Sequence, residues 1–275
     1  MNRKVIITGC TSGIGRGLLI KLLEDDNNYV IGICRNPKKI EDLSIKYKKN
    51  LQLIKCDLLN LVDLKNLIKQ LKKISNINIL INNCGSLFFE NKEVFNGIYS
   101  THFLNTFVPM LLCLETMKNF DTKKKNLVIN IGSNAFKIFP VNKEENFLKN
   151  YNFSYKNYCK SKLYLMYLTE RFSRNTKGNV EFCYIHPGLV KSNISSNFPY
   201  IYKFLFKIIQ FFFGISSDES ANYIINDIIN NNLNKNNKFF NFNSRKNIKN
   251  LILNKEYTDK IWDIYLKKKL EFDKL

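Results

Sequence analysis

Residues 5–15 read Val-Ile-Ile-Thr-Gly-Cys-Thr-Ser-Gly-Ile-Gly, a short apolar run that leads directly into a glycine-rich turn. The run Val5-Ile6-Ile7 is typical of a buried strand, and the apolar spacing from Ile14 to Leu23 predicts a helix. Such a turn lets the backbone approach a phosphate group, and the first N–H groups of the following helix attract its negative charge. The stretch therefore predicts a site for the pyrophosphate of a dinucleotide.

Strand and helix patterns alternate from this turn to about residue 190. Strands are predicted at 5–7, 29–34, 51–56, 77–81, 127–131 and 180–185, and helices at 14–23, 61–74, 98–117 and 155–172. Because the strands are continuously apolar, they indicate a parallel sheet covered by helices on both faces. Right-handed crossovers then predict an α/β fold of the Rossmann type with a doubly wound sheet. Further on, we predict helices at 220–229 and 257–270 and a short strand near Phe239-Phe240.

The composition limits the class of protein. The chain has 275 residues, 45% of them hydrophobic and 24% charged, which excludes collagen, a coiled coil and a fully disordered chain. We expect a single domain over 1–275, with a dinucleotide-binding and catalytic core at 1–190 and a substrate lid and C-terminal helix at 191–275. The seven cysteines are dispersed and never form a Cys-x-x-Cys pair, and there are two histidines. This usage predicts buried reduced thiols, a reducing compartment and no metal site.

The charge balance is unusual, since 43 Lys and Arg against 23 Asp and Glu leave a net charge of +20. Three interpretations compete: binding of nucleic acid, attraction to phosphates of a membrane or cofactor, and lysines that only solvate the surface of a Lys- and Asn-rich chain. We favour the third interpretation, and we expect no specific nucleic-acid partner because no recognised binding motif is present.

Tyr158 and Lys162 are four residues apart in a predicted helix and so lie on one face of it. A nearby ammonium favours the phenolate, so we expect Lys162 to lower the pKa of Tyr158 from its usual value of about 10. Tyr158 is then a candidate general acid and base. The spacing alone is also compatible with an exposed helical pair.

Other polar or turn residues follow the predicted strands. Asn82-Asn83-Cys84-Gly85 follows the fourth strand, Ser133 the fifth, and His186-Pro187-Gly188 the sixth. Ligands bind at this carboxyl edge of the sheet in doubly wound folds. Arg35 directly follows the second strand, where NAD-binding chains usually carry an acidic residue, and Lys38 follows soon after. A cation here can pair with a 2′-phosphate, which favours NADP(H) over NAD(H).

Taken together, these residues resemble the short-chain dehydrogenase/reductase family over nearly the whole chain. The family pattern T-G-x-x-x-G-x-G is matched at residues 8–15, N-N-A-G at 82–85 with Cys84 in place of Ala, and Y-x-x-x-K at 158–162. Within the family, Cys34-Arg35-Asn36 and the 25-residue spacing from Ser133 to Tyr158 are similar to the retinol dehydrogenase-like branch, which includes WW-domain oxidoreductases.

The resemblance implies a function and a set of site residues. It implies hydride transfer between nicotinamide and a carbonyl or alcohol carbon, with Asn105, Ser133, Tyr158 and Lys162 as catalytic residues and His102 as the alternative to Asn105. The residues expected to contact the cofactor are Thr8, Gly9, Thr11, Ser12, Gly13, Ile14, Gly15, Arg35, Asp57, Leu58, Asn83, Cys84, Gly85, Tyr158, Lys162, Pro187, Gly188 and Val190.

Residues 198–213 are strongly apolar and aromatic, with lysines at 203 and 207 on one helical face. This pattern predicts a helix that lies in a membrane interface or closes over the substrate pocket, and it favours a small apolar carbonyl or alcohol, lipid-, retinoid- or steroid-like. Since we find neither a signal peptide nor a spanning segment, we expect a protein on the cytoplasmic side, soluble or attached to an intracellular membrane such as the endoplasmic reticulum, and not secreted. By analogy a homodimer is expected.

One alternative function belongs to a different class. A chain of this fold could bind a nucleotide without turnover and act as a sensor or scaffold. Cys84 and Val108, which depart from the family pattern, leave room for it, whereas Ser133, Tyr158 and Lys162 favour an enzyme.

Overall fold

The main strands are five to seven residues long and are built around shorter apolar runs. The computed structural model describes residues 3–141, 146–176, 178–191, 214–230, 239–241, 246–247 and 254–275. Its strands are β1 (Arg3–Thr8), β2 (Asn28–Cys34), β3 (Leu51–Lys55), β4 (Ile77–Asn82), β5 (Glu93–Phe95), β6 (Ile98–Tyr99), β7 (Asn126–Ile131), β8 (Val180–His186), β9 (Phe239–Asn241) and β10 (Lys246–Asn247).

The helices alternate with these strands, as the apolar periodicity predicts. They are α1 (Gly13–Leu23), α2 (Glu41–Lys46), α3 (Leu61–Leu71), α4 (Ser100–His102), α5 (Val108–Thr116), α6 (Ser154–Asn175), α7 (Ser217–Tyr223) and α8 (Lys255–Asp273). Short 3₁₀ turns lie at Pro37–Ile40, Met117–Asn119 and Asn134–Lys137, and π-helical segments at Phe103–Phe107 and Ile224–Asn230.

Within the described ranges, eight strands form one sheet in the order β10-β9-β8-β7-β4-β1-β2-β3. All its pairs are parallel except β9 with β10. The chain therefore winds outward from β1 to β3 and then returns across the sheet from β4 to β8. The predicted doubly wound Rossmann-type sheet is confirmed.

Two apolar clusters cover the two faces of the sheet. One face packs against α3, α5, α6 and α8, and the other packs against α1, α7 and the π-helical segment Ile224–Asn230. Gly17 of α1 lies close to α7, because a Cβ on Gly17 would approach the Cβ of Ala221 at 3.0 Å. All seven cysteines are free; six are buried, and five of these lie in the two apolar clusters.

A buried polar chain crosses from the sheet to α6. Asn82 Nδ2 donates to Asn130 Oδ1 at 2.8 Å, and Asn130 Nδ2 donates to Thr169 Oγ1 at 2.9 Å. The Thr169 hydroxyl in turn donates to the Leu165 carbonyl within the helix. The chain links β4, β7 and α6 at one fixed register, since hydrogen bonds are directional.

The predicted helix over 98–117 is wrong in its first turn and interrupted further on. Ile98 and Tyr99 pair in a small antiparallel hairpin with β5, and helical structure begins at Ser100. The helix then widens to a π-helical segment just before Pro109. Proline has no backbone N–H and its ring crowds the carbonyl four residues earlier, so a regular α-helix is disfavoured at this point.

The remaining differences are small or untested. The sequence prediction missed α2, and α7 begins three residues before the predicted position. The strand predicted near Phe239 is present as β9. The segment 198–213, expected to form an interfacial or lid helix, lies outside the described residues. No helix among the described residues is long and apolar enough to span a bilayer.

Candidate active site

The glycine turn is fixed to the loop that follows β4. The amides of Asn83 and Cys84 donate to the Thr8 hydroxyl at 3.1 and 3.0 Å, and the Asn83 side chain donates to the carbonyls of Thr8 and Gly9 at 2.9 and 3.0 Å. Gly9 adopts φ +71°, a conformation that favours glycine. Two predicted cofactor-contact segments are thus joined at the carboxyl edge of the sheet.

The start of α1 is open to an anion. Ser12 is the N-cap of α1, but its side chain makes no capping hydrogen bond, whereas Asn60 caps α3 by accepting from two backbone amides. Gly15 is buried, and a Cβ there would overlap the Gly9 carbonyl oxygen and the Asn83 side chain. The turn thus presents backbone N–H groups rather than side chains, as a pyrophosphate site requires. Thr11, Gly13 and Ile14 lie along the same turn, each partly exposed.

The ends of β2 and β3 flank this turn on one side. Arg35 follows β2 and is exposed, as are Lys38 and Lys39 in the next 3₁₀ turn. After β3, the Asp57 carboxylate accepts from the Leu59 amide at 3.0 Å, and Leu58 is buried. The basic residues and the absence of an acidic residue after β2 suit a ligand that carries an extra phosphate at this edge.

Tyr158 and Ser133 meet on the other side of the turn. Tyr158 lies on α6 with 9% of its surface exposed, and its phenol lies close to the Ser133 side chain, whose hydrogen-bonding effect lowers the pKa of the phenol in part. Ser133 follows β7 and caps the 3₁₀ turn Asn134–Lys137, where its Oγ accepts from the Ala135 amide at 3.2 Å. The end of β7 and helix α6 thus bring two hydroxyl groups close together.

Lys162 lies one turn further along α6 and is almost fully buried. Its Nζ donates to the carbonyl of Ile131, the last residue of β7, at 2.9 Å, and lies 6.0 Å from the centre of the Tyr158 ring. Burial lowers the pKa of Lys162 to about 8, while the Cys84 thiol raises it in part. The ammonium is therefore held at the sheet edge beside the phenol.

The expectation that Lys162 lowers the pKa of Tyr158 is wrong for the protein alone. Burial raises this pKa to about 12, and the hydrogen bond with Ser133 lowers it only in part. The reason is that Tyr158 is enclosed, with the Tyr155 ring stacked on it at 6.3 Å, and desolvation disfavours the phenolate. The phenol is consequently protonated at neutral pH, which suits a proton donor.

Asn105 lies in the π-helical segment and reaches the same site. Its Nδ2 donates to the Ser86 carbonyl at 2.8 Å and to Ser161 Oγ at 3.0 Å, and its Oδ1 accepts from the Ser86 amide at 2.9 Å. A Cβ on Gly85 would lie 2.9 Å from Asn105 Oδ1 and 3.1 Å from Lys162 Nζ, so this glycine permits their close approach. The four predicted catalytic residues therefore share one region.

The alternative residue His102 has a different environment. It stacks on Tyr164 at 5.3 Å, and its Nδ1 is 3.4 Å from the Tyr265 hydroxyl on α8. These contacts direct its ring toward the packing between α4, α6 and α8. Of the two candidates, the geometry favours Asn105 for the site.

The turn after β8 completes the carboxyl edge. The Pro187 carbonyl accepts from the Ser220 hydroxyl of α7 at 2.9 Å, and Gly188 adopts φ +90°. Val190 is buried and forms a parallel bridge with Ile215. These contacts anchor the segment after the sheet close to α1, beside the glycine turn.

Sequence reasoning missed three residues that touch the site. Ser86 and Ser161 hold the Asn105 side chain, and Tyr184 of β8 bonds the backbone of Ser133. No local pattern pointed to them, because each acts through a contact between elements far apart in the sequence. The single available sign was Gly132, whose missing side chain leaves space for a large neighbour.

A family model described as short chain dehydrogenase matches the sequence over residues 3–199, which carry the glycine turn, Asn105, Ser133, Tyr158 and Lys162. The chain belongs to the short-chain dehydrogenase family. The family prediction is thereby confirmed, and the chain is an oxidoreductase of this kind. Curated relatives named retinol dehydrogenase 13 and 14 confirm the predicted retinol dehydrogenase-like branch.

Individual relatives agree with this assignment. Human retinol dehydrogenase 14 is 24% identical over 245 residues, which cover 80% of this chain and 71% of that protein. The NADPH-bound carbonyl reductase from chicken fatty liver is 23% identical, with a TM-score of 0.64 over 87% of this chain and 96% of that chain. The closed form of serine dehydrogenase complexed with NADP⁺ is 17% identical, with a TM-score of 0.69 over 92% of this chain and 99% of that chain. At these identities the two structures support the fold alone.

Proposed function

We propose that this short-chain dehydrogenase uses NADP(H) to interconvert an apolar carbonyl compound and its alcohol, with Tyr158 as the general acid and base. The observation that carries the proposal is the meeting of the Tyr158 phenol, the Ser133 hydroxyl and the buried Lys162 ammonium beside an open glycine turn. Ligands of doubly wound folds bind at the carboxyl edge of the sheet, so a ligand held by the glycine turn would lie next to these three groups.

The roles of the side chains follow from their donors and acceptors. When bound, the nicotinamide cofactor supplies or accepts the hydride. Ser133 donates a hydrogen bond from its hydroxyl to the substrate oxygen, where negative charge develops during reduction. Tyr158 gives its proton to the same oxygen and takes it back in the oxidative direction. The Lys162 ammonium stabilises the phenolate that Tyr158 becomes, and Asn105 fixes the loop at Ser86 beside it.

The buried lysine makes the reaction sensitive to pH. Because the pKa of Lys162 is lowered to about 8, its charge is present below that pH and is lost as pH rises through it. We expect kcat/KM for carbonyl reduction to decline above about pH 8, although Tyr158 stays protonated to a higher pH.

A pH profile of Lys162→Arg tests this assignment. Arginine keeps its charge throughout this range, so the variant is expected to lose activity overall but to show no decline centred near pH 8. A decline of the same midpoint in both proteins would assign it to another group. Lys21→Ala, on the outer face of α1, serves as the control that keeps the wild-type profile.

The preference for NADP(H) is proposed from Arg35, supported by Lys38 and Lys39. All three are exposed at the end of β2. The structures of the chicken fatty liver carbonyl reductase and of serine dehydrogenase contain NADPH and NADP⁺, respectively, which supports this proposal. A guanidinium binds a phosphate through charge-assisted hydrogen bonds.

Arg35→Asp is expected to weaken NADPH binding by about tenfold or more while NADH binding is kept or improved, because a carboxylate repels the 2′-phosphate and accepts from the ribose hydroxyl. Fluorescence titration with each cofactor measures the ratio of the two dissociation constants. An unchanged ratio would contradict the role of Arg35, and Lys55→Asp on the neighbouring strand controls for the general loss of positive charge.

An apolar substrate is supported by a row of aromatic side chains that leads to the catalytic tyrosine. Phe139 packs against Phe153 at 6.3 Å, Phe153 against Tyr155 at 6.1 Å, and Tyr155 against Tyr158 at 6.3 Å. Phe153 is 58% exposed, so the row extends from the surface to the site. The name retinol dehydrogenase among the relatives points to the same substrate class.

We further propose that the segment 191–275 supplies the substrate lid, and that the protein assembles as a homodimer. Within this segment, we propose that residues 198–213 contact the cytoplasmic side of a membrane. The apolar and aromatic composition of 198–213 and its two lysines support membrane contact. Sedimentation with anionic lipid vesicles tests the membrane contact. Replacement of the aromatic residues in this segment by alanine is expected to abolish sedimentation with the vesicles.

A substrate panel tests the proposed function directly. We expect NADPH oxidation with long-chain or ring-containing aldehydes and ketones at kcat/KM values well above those for small polar carbonyls, because the apolar row stabilises the former by burial. Turnover restricted to small polar carbonyls would overturn the substrate class. Binding of NADPH without turnover of any carbonyl or alcohol would instead favour a nucleotide sensor.

A further inference from the structure

Tyr184 binds the backbone of the catalytic serine with its phenol group. The hydroxyl of Tyr184 accepts from the Ser133 amide at 2.8 Å and donates to the Ser133 carbonyl at 3.0 Å. The residue lies on β8, three residues before Pro187, and is 2% exposed. One side chain therefore satisfies both backbone groups of a residue on the neighbouring strand end.

The position of the Tyr184 ring depends on the absence of a side chain at residue 132. A Cβ on Gly132 would overlap the ring atoms of Tyr184, so the two residues are complementary in volume. Phe136 also packs against this ring in a T-shaped arrangement, with centroids 6.0 Å apart. The ring is buried, with 2% exposure, and the phenol oxygen consequently has little freedom to leave Ser133.

These contacts leave the Ser133 hydroxyl with a defined direction. Its backbone is extended, with φ −159° and ψ 145°, and both of its polar backbone atoms are bonded to Tyr184. Its Oγ accepts one hydrogen bond from the Ala135 amide. A hydroxyl has one hydrogen and two lone pairs, so the hydrogen and one lone pair remain for Tyr158 and the substrate oxygen.

We infer that Tyr184 is a positioning residue for the oxidoreductase reaction, which it serves by holding Ser133 in the orientation that lets its hydroxyl bond the reacting oxygen. The inference rests on the proposed function of Ser133 and adds to it a residue that does not touch substrate or cofactor. The ring of Tyr184 is matched to the absence of a side chain at Gly132, so a residue larger than glycine at 132 would displace the ring from Ser133.

Tyr184→Phe tests the inference, because it removes the phenol oxygen and keeps the ring that fills the space beside Gly132. We expect kcat for carbonyl reduction to fall about tenfold, since two backbone groups lose their partner, while the dissociation constant for NADPH is unchanged. Tyr167→Phe, which removes the hydroxyl of another tyrosine of the core with 7% exposure, is the matched control and is expected to keep wild-type kcat.

A double-mutant cycle separates positioning from a general structural role. In a Ser133→Ala background, Tyr184→Phe is expected to cause no further loss of kcat, because its effect passes through the Ser133 hydroxyl. An equal fold-loss in both backgrounds, or an unchanged kcat in Tyr184→Phe alone, would overturn the inference.

Amide hydrogen exchange provides a readout that does not depend on activity. In Tyr184→Phe we expect the Ser133 amide to exchange at least about tenfold faster, while the Gly132 amide, which donates to the Ile185 carbonyl at 2.7 Å, stays protected. Unchanged exchange at Ser133 would overturn the inference. If the wild-type protein reduced no carbonyl compound, the proposed function would fail on the substrate panel, and exchange at Ser133 would still decide whether Tyr184 holds that residue.

Discussion

Tyr158→Phe is expected to lower kcat for carbonyl reduction by a factor of roughly 10² to 10⁴, the contribution that a positioned general acid makes to proton transfer. The phenol lies close to Ser133, Lys162 Nζ is 6.0 Å from the centre of its ring, and burial keeps it protonated until far above neutral pH. Removal of its oxygen takes away the proton donor while the ring continues to stack on Tyr155. The variant should therefore fold and bind cofactor as the wild type does.

Single-turnover kinetics with NADPH and an apolar aldehyde, together with cofactor titration, measure both quantities. Tyr167→Phe controls for the loss of a tyrosine hydroxyl from the same helix. Equal rates for Tyr158→Phe and wild type would remove Tyr158 from the chemical step, whereas parallel loss of cofactor binding would indicate a misfolded site.

Gly15→Ala is expected to weaken cofactor binding by about 10- to 100-fold. The added methyl group would overlap the Gly9 carbonyl and the Asn83 side chain. The carbonyl is part of the backbone and the Asn83 side chain is hydrogen-bonded to it, so neither can turn aside and the glycine turn must move. Overpacking at a fixed backbone site costs about 1–3 kcal/mol, and each 1.4 kcal/mol is tenfold in affinity. The same movement separates the glycine turn from the loop after β4.

Isothermal titration with NADPH measures this effect, and the melting temperature of the variant reports the accompanying loss of stability. Lys21→Ala on the outer face of α1 is the matched control, because its ion pair with Glu24 lies at the surface and contributes little. An affinity equal to wild type would show that the turn tolerates a side chain and would contradict the proposed pyrophosphate contact.

Local patterns were sufficient to predict the sheet, the glycine turn and the helix that carries Tyr158. The continuous apolar strands and the turn between β1 and α1 each depend on residues close in sequence, so their physical cause is visible in a short window. The positions of Ser133 and Asn83 at strand ends followed from the parallel sheet. These features also carry the family assignment.

Other features depend on contacts that no window contains. The sequence did not reveal that the Tyr158 phenol has a raised pKa, because burial by α6 and its neighbours decides it. The π-helical segment that holds Asn105 needs Pro109 and the packing around it, and periodicity alone read the region as one α-helix. The bond between Tyr184 and Ser133 joins residues 51 apart in sequence and was invisible for the same reason.

The buried amide and hydroxyl chain from Asn82 through Asn130 to Thr169 has a consequence for engineering this enzyme. It ties α6, which carries Tyr158 and Lys162, to the sheet about two turns beyond Lys162, so it fixes the rotation of this helix about its axis and its position along the sheet. Replacing all three residues by apolar ones of similar volume could raise the melting temperature and still misalign the reacting groups. Thermal stability is therefore a poor guide when variants of this interior are selected, and turnover has to be measured for each one.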